Sequence, residues 1–251
     1  YEIKYDGFRL LGAREGPAAR LLYRRGHDAT HVFPEIARAL RALPLGDLVL
    51  DGEAVVLDES GRPSFQSLQK RVQLQRPADI ERASWRWPAT LFVFDLLAFE
   101  GFDLRGLPLA ERKGLLAELL PQEGPLRLCD HVAGEGQAFY EEVRRLGLEG
   151  AMAKRAAAPY VSGRSAHWLK MKVERSGDFV VVGFSEPKGT RTGLGALHLA
   201  GYEGDELVYA GRVGSGFTED QLARLRTELD TLRRSEPACT GEVPRSRDNV
   251  F

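Results

Sequence analysis

The chain has 251 residues, of which 43% are apolar and 28% are charged, and its formal net charge is −1. This is typical of a globular protein with one large or two smaller domains, and no apolar run is long enough to span a membrane. Cys129 and Cys239 lack the CxxC spacing of a zinc site, so a zinc site is not expected. With only two cysteines, which lie far apart in the sequence, a reducing, cytoplasmic compartment is expected.

The opening stretch YEIKYDG alternates as a β-strand does, with Glu2, Lys4 and Asp6 on one face, and Asp6-Gly7 then predicts a tight turn. FRLLGA and RLLYRR read as paired strands around Glu15-Gly16-Pro17. HVFPEIARALRAL predicts a helix with Thr30 or His31 near its cap and Pro34 in its first turn.

The middle of the chain predicts further strands and helices. LVLDGEAVVLDESG reads as two buried strands broken at Asp51-Gly52, and ATLFVFDLLAFEG as another buried strand. FQSLQKRV, LAERKGLLAELL and GQAFYEEVRRLG have helical spacing, with Gly147 ending the last of them. GAMAKRA and HWLKMKV are expected to be short strands.

The pattern changes near residue 175. DFVVVGFSE, LGALHLAGYEG and ELVYAGRVGSG predict strands, and TEDQLARLRTELDTLRR predicts one helix. Several strands and a helix in so short a segment favour a small OB-fold barrel. We therefore expect an α+β protein with domains at 1–174 and 175–251, the second of which looks incomplete at its C-terminus.

Lysine is scarce, with seven lysines against twenty-eight arginines, yet four lysines fall in short segments that resemble sites: Lys4, Lys154, Lys170 and Lys172. A lone lysine on a polar strand face is usually a solvated residue. A nucleophilic lysine needs a neutral amine, and nearby cations would favour one while also stabilising a departing pyrophosphate. Such a cationic cluster suits attack on phosphorus better than Schiff-base chemistry.

Lys4-Tyr5-Asp6-Gly7-Phe8-Arg9 resembles the KxDGxR signature of the covalent nucleotidyltransferases, which are ATP-dependent DNA ligases, RNA ligases and mRNA capping enzymes. Five further elements follow in that superfamily's order: Arg24-Arg25-Gly26, Leu50-Asp51-Gly52-Glu53, Phe92-Val93-Phe94-Asp95, Glu149-Gly150-Ala151-Met152-Ala153-Lys154 and Trp168-Leu169-Lys170-Met171-Lys172. The run YRRGHDATHVFPEI, LDGEAVVLD and the OB-type segment most resemble the ligase module of bacterial non-homologous end-joining DNA ligases.

The resemblance implies a nucleotidyltransferase (adenylation) domain of antiparallel sheets flanked by helices, followed by an OB-fold domain. Lys4 would attack the α-phosphate of ATP and carry AMP, with Lys170 and Lys172 assisting. ATP would be bound by Glu2, Ile3, Arg9, Arg24, Glu53, Phe94 and Lys154. Glu149 and Glu53 would hold Mg²⁺ or Mn²⁺. Glu2 could instead be the partner of a surface arginine, and Phe94 could simply pack in the core. Arg25 could contact the DNA backbone or be a solvated residue.

The implied partners are nicked or broken double-stranded DNA and a DNA-end-binding repair protein. We expect no membrane association, a monomer, and a nucleoid-associated location in the bacterial cytoplasm. The superfamily's final basic motif is not evident, so we expect slow self-adenylation and sealing of pre-adenylated DNA.

Three other interpretations stay open at this point. Two are an RNA ligase and a capping-type nucleotidyltransferase, and the third is a non-catalytic clamp for DNA ends. Phe179, Phe184 and Tyr202 could stack on a single strand or pack in a core.

Overall fold

The computed structural model describes residues 1–174, 176–244 and 246–251. The chain forms two compact units, Tyr1–Glu174 and Arg175–Phe251. Arg175, where the second predicted domain begins, is outside the described residues. No helix in the described part is long and apolar enough to cross a membrane.

The first unit contains nine strands and five helices among its described residues. The strands are β1 (Glu2–Ile3), β2 (Phe8–Glu15), β3 (Ala18–Tyr23), β4 (Leu48–Val56), β5 (Ala89–Phe99), β6 (Phe102–Asp103), β7 (Leu126–Leu128), β8 (Gly150–Lys154) and β9 (Trp168–Lys172). The helices are α1 (Pro34–Ala42), α2 (Phe65–Val72), α3 (Pro77–Arg86), α4 (Leu109–Leu119) and α5 (Gly136–Arg145).

The larger sheet of this unit has the strand order β3-β2-β4-β5-β6, and β7 pairs in parallel with β5. Its other pairings are antiparallel. Buried aliphatic residues from the central strands pack with α1, α2 and α4 in one core, which includes Leu10, Ile36, Leu50, Leu68, Leu91 and Leu116. The predicted α+β architecture with antiparallel sheets is confirmed.

A smaller sheet carries the opening motif and has the order β1-β8-β9. Glu2 pairs with Met152 and Ile3 with Ala151, so the first strand lies directly beside the EGxMxK segment. The following Lys4 amide donates to the carbonyl of Gly150 at 2.9 Å. This pairing brings segments that are about one hundred and fifty residues apart into one wall.

The turn after Lys4 requires glycine because two strands approach closely there. A Cβ added at Gly7 would lie 2.2 Å from the carbonyl oxygen of Ala54, which is closer than any side chain can approach. The residue therefore lets β2 pair with β4 immediately after the lysine, with Phe8 opposite Ala54.

Several local predictions need correction. The stretch predicted as two strands broken at Asp51-Gly52 is the single strand β4, which absorbs the glycine as a register irregularity against β5. α1 begins after Phe33 without a side-chain cap, whereas Thr30 accepts a hydrogen bond from the amide of Leu21 at 2.9 Å. Pro34 does occupy the first turn of α1, as predicted.

One helix of the first unit, α3, was not predicted. It begins at Pro77, which suits the first turn because proline lacks the amide hydrogen that this position leaves unpaired. The apolar stripe of α3 is short, and because charged residues and the exposed Trp85 interrupt it, the sequence pattern did not indicate a helix.

The second unit contains strands β10 (Val180–Ser185), β11 (Ala196–Glu203), β12 (Glu206–Val213) and β13 (Asn249–Val250), and helix α6 (Glu219–Asp230). The antiparallel sheet order is β12-β11-β10-β13. α6 begins with a capping box in which Thr218 and Gln221 exchange hydrogen bonds. The core of the second unit contains four buried residues: Phe184, Leu194, Leu197 and Leu222.

The aromatic residues considered for DNA stacking divide into two groups. Phe184 is 2% exposed and belongs to the core of the second unit, so a stacking role for it is wrong. Phe179 and Tyr202 are exposed.

Candidate active site

A cavity of about 200 Å³ lies in the first unit, at the wall formed by β1 and β8. Its lining contains nine residues that the sequence indicated: Glu2, Ile3, Lys4, Arg9, Arg24, Glu53, Phe94, Lys154 and Lys170. They come from the two sheets and the segment after β3. The fold thus gathers most of the ordered motifs around one space.

Lys4 follows β1 directly and its side chain is 16% exposed. Its ammonium group forms an ion pair with Glu149, the residue that precedes β8. The other carboxylate oxygen of Glu149, Oε2, is buried and has no hydrogen-bond partner among the described residues. A buried oxygen of this kind can accept a cation or a donor from a ligand.

Glu2 lies two residues before Lys4 and holds two lysines. Its Oε1 contacts Nζ of Lys113 at 2.7 Å, and its Oε2 contacts Nζ of Lys154 at 2.6 Å. All three side chains are at most 4% exposed. Burial is the main cause that lowers the pKa of Lys154, and the Glu2 carboxylate opposes it.

An aromatic wall completes this end of the cavity. The ammonium of Lys154 lies 4.2 Å from the ring centre of Phe94 and 4.1 Å from that of Trp168. The two rings meet edge to face at 5.6 Å. Phe94 is partly exposed, so its ring is available to a planar ligand and is not only core packing.

Arg9 makes a fixed ion pair with Asp51 across the β2–β4 pairing. Its Nε donates to Oδ1 at 2.9 Å and its Nη2 to Oδ2 at 2.5 Å. The hydroxyl of Tyr160 donates to Asp51 at 2.9 Å and accepts from Arg9 at 3.1 Å. Both nitrogens on the Asp51 side are therefore used, which orients the guanidinium along the cavity wall.

Glu53 lies opposite Arg9 on β4 and lines the same cavity. Burial raises its pKa to about 7, while the charges of Lys4 and Arg9 oppose the rise. The charge of Glu149 raises the pKa of Glu53 further, so the two carboxylates interact electrostatically near Lys4. Two carboxylates, one of which has an oxygen without a hydrogen-bond partner in the described part of the chain, are oxygen donors of the kind that a hard divalent cation prefers.

The remaining predicted site residues lie at the rim. Arg24 and Lys170 are exposed and line the cavity, whereas Lys172 is exposed but does not line it. Burial raises the pKa of Asp6, and Lys172 is close enough to oppose part of that rise. The basic rim thus extends beyond the cavity itself.

Sequence reasoning missed three residues that support the site from behind, Asp51, Lys113 and Tyr160, and one residue that lines the cavity, Trp168. Asp51 and Trp168 stood inside quoted motifs, but their polar and aromatic contacts depend on the fold. The sequence spacing could have indicated that Lys113 is buried. It lies four residues after Leu109 and three before Leu116, on the buried face of α4.

Two family models match the chain. The ATP dependent DNA ligase domain matches residues 1–172, and the ATP dependent DNA ligase C terminal region matches residues 190–251. The chain belongs to the ATP-dependent DNA ligase family. The predicted family, and the nucleotidyltransferase domain with an OB-fold region that it implies, are confirmed.

Full-length relatives of this ligase family member are longer. The multifunctional non-homologous end joining protein LigD of Pseudomonas aeruginosa is 43% identical over 255 residues, covering 99% of this chain and 29% of that protein. LigD of Mycolicibacterium smegmatis is 34% identical, covering 98% and 31%. The chain thus spans about a third of the length of these curated relatives.

Solved ligase structures share the fold. A mycobacterial DNA ligase D complexed with ATP and MES is 32% identical, with a TM-score of 0.60 over 99% of this chain and 78% of that one. The ligase domain of Mycobacterium tuberculosis LigD is 31% identical, with a TM-score of 0.58 and the same coverage.

Proposed function

We propose that this chain seals breaks in double-stranded DNA with ATP, by way of AMP carried on Lys4. The observation that carries the proposal is the cavity that Lys4 lines together with basic and aromatic residues of the other motifs, with Glu149 paired to Lys4. The chain's membership of the ATP-dependent ligase family supports the choice of nucleotide.

The first step requires Lys4 as a neutral amine. The carboxylate of Glu149, which already contacts its ammonium group, is placed to accept the proton. The nitrogen lone pair then attacks the α-phosphorus of ATP, a nitrogen–phosphorus bond forms, and the bond to pyrophosphate breaks. Arg24 and Lys170 at the rim, and Lys172 beyond it, oppose the charge of the phosphates.

The nucleotide base would lie at the aromatic end of the cavity. Phe94 offers a partly exposed ring, and the adjoining main chain of Glu2 and Ile3 forms the wall beside it. Lys154 and Arg9 would contact the phosphates or ribose. Arg9, fixed by Asp51, needs no further ordering when it binds an oxyanion, which favours affinity.

Glu149 and Glu53 would hold Mg²⁺ or Mn²⁺. When bound, such an ion neutralises phosphate charge and lowers the barrier for loss of pyrophosphate. Its charge would also favour ionised Glu53, whose pKa burial raises to about 7. The unpartnered Oε2 of Glu149 supports this assignment.

Two further steps complete the reaction. A DNA 5′-phosphate oxygen attacks the phosphorus of the attached AMP, and Lys4 leaves with its electron pair and regains a proton. The 3′-hydroxyl of the neighbouring strand then attacks the activated 5′-phosphate and releases AMP. The chain's own contribution is positioning and charge stabilisation.

We also propose that the chain works in repair of double-strand breaks, recruited by a DNA-end-binding protein, because its relatives are named for non-homologous end joining. It would act as a monomer on the bacterial nucleoid. Its domains are proposed to be 1–174 for adenylation and 175–251 for the OB-fold, which agrees with the two compact units.

One experiment tests nucleotide, polymer and activity together. The chain is incubated with radiolabelled ATP or GTP and Mg²⁺, and then with nicked DNA or nicked RNA. We expect slow labelling of the protein from ATP but not from GTP, and sealing of nicked DNA. Label from GTP would indicate a capping-type enzyme, sealing of RNA alone an RNA ligase, and DNA binding without label a clamp.

A further inference from the structure

Helix α4 connects several parts of the cavity from behind. Its first amides, at Leu109 and Ala110, donate to the carbonyls of Ala158 and Ala156 in the segment that leads to Tyr160. Its two adjacent basic residues, Arg112 and Lys113, are 0% and 4% exposed, although they look like surface residues in the sequence. A helix with two buried cations on its inner face needs a reason for them, because burying a charge is costly.

The burial of Lys113 is explained by its ion pair with Glu2. The Lys113 ammonium donates to Glu2 Oε1 at 2.7 Å and to the carbonyl of Cys129 at 2.8 Å, so two of its three protons have fixed acceptors. Glu2 therefore has only Oε2 left for Lys154. This division keeps the Lys154 ammonium over the rings of Phe94 and Trp168.

We propose that Lys113 is a positioning residue for nucleotide binding, which acts by holding Glu2 so that Lys154 keeps its place in the cavity. The inference rests on the proposed function only in taking ATP as the ligand. Lys113 itself does not line the cavity, so any effect on the nucleotide must pass through Glu2 and Lys154.

Charge supports this role. One carboxylate and two ammonium groups leave a net charge of +1 at the closed end of the cavity, which favours an anionic ligand. Without Lys113 the group becomes neutral. Glu2 can then turn both oxygens toward Lys154 and draw its ammonium away from the rings. The cavity loses a cation that a phosphate or a base acceptor could use.

The test is the dissociation constant of ATP, measured by calorimetry without a divalent cation, for Lys113→Met, Glu2→Gln and the double variant. Lys113→Met should weaken ATP binding by about 10- to 100-fold, the size expected when a charged hydrogen-bond partner is lost. In the Glu2→Gln background the same change should weaken ATP binding much less, because the contact that acts through the Glu2 carboxylate is already lost. Lys113→Arg should recover part of the affinity.

The matched control is Lys70→Met on α2, since Lys70 is exposed and outside the cavity. It should bind ATP as the unaltered chain does. Thermal unfolding of every variant separates a loss of fold from a loss of affinity. If Lys113→Met does not fold, Lys113→Gln replaces it, with the same expected weakening.

The inference is overturned if Lys113→Met, or Lys113→Gln in its place, binds ATP with unchanged affinity. It is also overturned if the weakening is equally large in the Glu2→Gln background, because Lys113 would then act through general packing. Transfer of labelled AMP to the unaltered chain is scored separately. Its absence would contradict the proposed reaction, while the affinities would still decide the role of Lys113.

Discussion

Three carboxylates hold the basic side chains of the cavity in fixed places. The pairs are Lys4 with Glu149, Arg9 with Asp51, and Lys154 with Glu2. Each pairing compensates part of the cost of moving a cation out of water, and it also leaves the cation close to the cavity. A phosphate can then compete with the carboxylate for a cation that is already oriented.

Cys129 lines the cavity beside Glu2, and its surroundings predict a thiol of low reactivity. Cys129 is 2% exposed, and burial, with the Glu2 charge next, raises its pKa to about 12. The thiolate is the reactive form, so the thiol should stay unreactive to iodoacetamide as pH rises to about 9. Cys239 is partly exposed and should react before it. Mass-spectrometric mapping of the alkylated sites checks this order.

The control is the same reaction in denaturant, where both thiols should be alkylated at similar rates. Alkylation of Cys129 as fast as Cys239 in the native chain at pH 8 would contradict the buried environment assigned to it.

Helix α4 contacts both sheets of the first unit next to the site. Lys113 holds Glu2 on β1, and Arg112 holds Asp95 on β5, directly after Phe94. The guanidinium pairs with both Asp95 oxygens, at 2.6 and 2.8 Å, and both side chains are 0% exposed. The position of the Phe94 ring therefore depends on a helix that contributes none of the residues lining the cavity.

Replacing Arg112 should be strongly destabilising. Arg112→Met leaves the Asp95 carboxylate buried without its cation, which costs about 3–5 kcal/mol of the free energy of unfolding. The double variant Arg112→Met with Asp95→Asn should recover part of this loss, because the remaining polar group is neutral. Urea unfolding measures both values.

Arg105→Met is the matched control for that experiment. Arg105 pairs with Asp103 in the same bidentate manner, but both side chains are more than half exposed. Because solvent screens this exposed pair, its loss should lower the free energy of unfolding far less than the loss of Arg112. Equal losses for Arg105→Met and Arg112→Met would contradict the importance given to the buried pair.

The sequence predicted the elements that carry strong periodicity, such as α2, β5 and the hairpin of β2 and β3. Nine of the residues that it indicated line one cavity, because the fold brings these short motifs together. It missed the supporting contacts of Lys113 and Tyr160, since these join segments far apart in the chain. It misread Asp51-Gly52 as a break because a glycine inside a strand and a glycine in a turn look alike locally.

For the whole molecule, the balance of charge is informative. The net charge is −1, so DNA binding must depend on local groups of lysine and arginine and not on overall attraction. Arg24, Arg25, Lys170 and Lys172 are exposed and belong to the first unit. Binding through such contacts is independent of base sequence, as sealing of arbitrary ends requires.

DNA affinity should therefore fall steeply with salt. Contacts with several phosphates predict a loss of about tenfold or more between about 50 mM and about 200 mM salt. Fluorescence anisotropy with nicked duplexes of two unrelated sequences measures this, and both should give the same slope. A flat salt dependence would contradict a phosphate-binding face. Arg25→Gln separates its two interpretations, because a phosphate contact should lower the slope by about one.

Covalent transfer of labelled AMP from ATP to the chain, compared with the Lys4→Ala variant, tests Lys4 as the nucleophile. We predict an acid-labile adduct on the unaltered chain at Lys4, no adduct on Lys4→Ala, and nicked-DNA binding by both. An adduct of equal yield on Lys4→Ala, or none on a folded, DNA-binding, unaltered chain, would contradict the account.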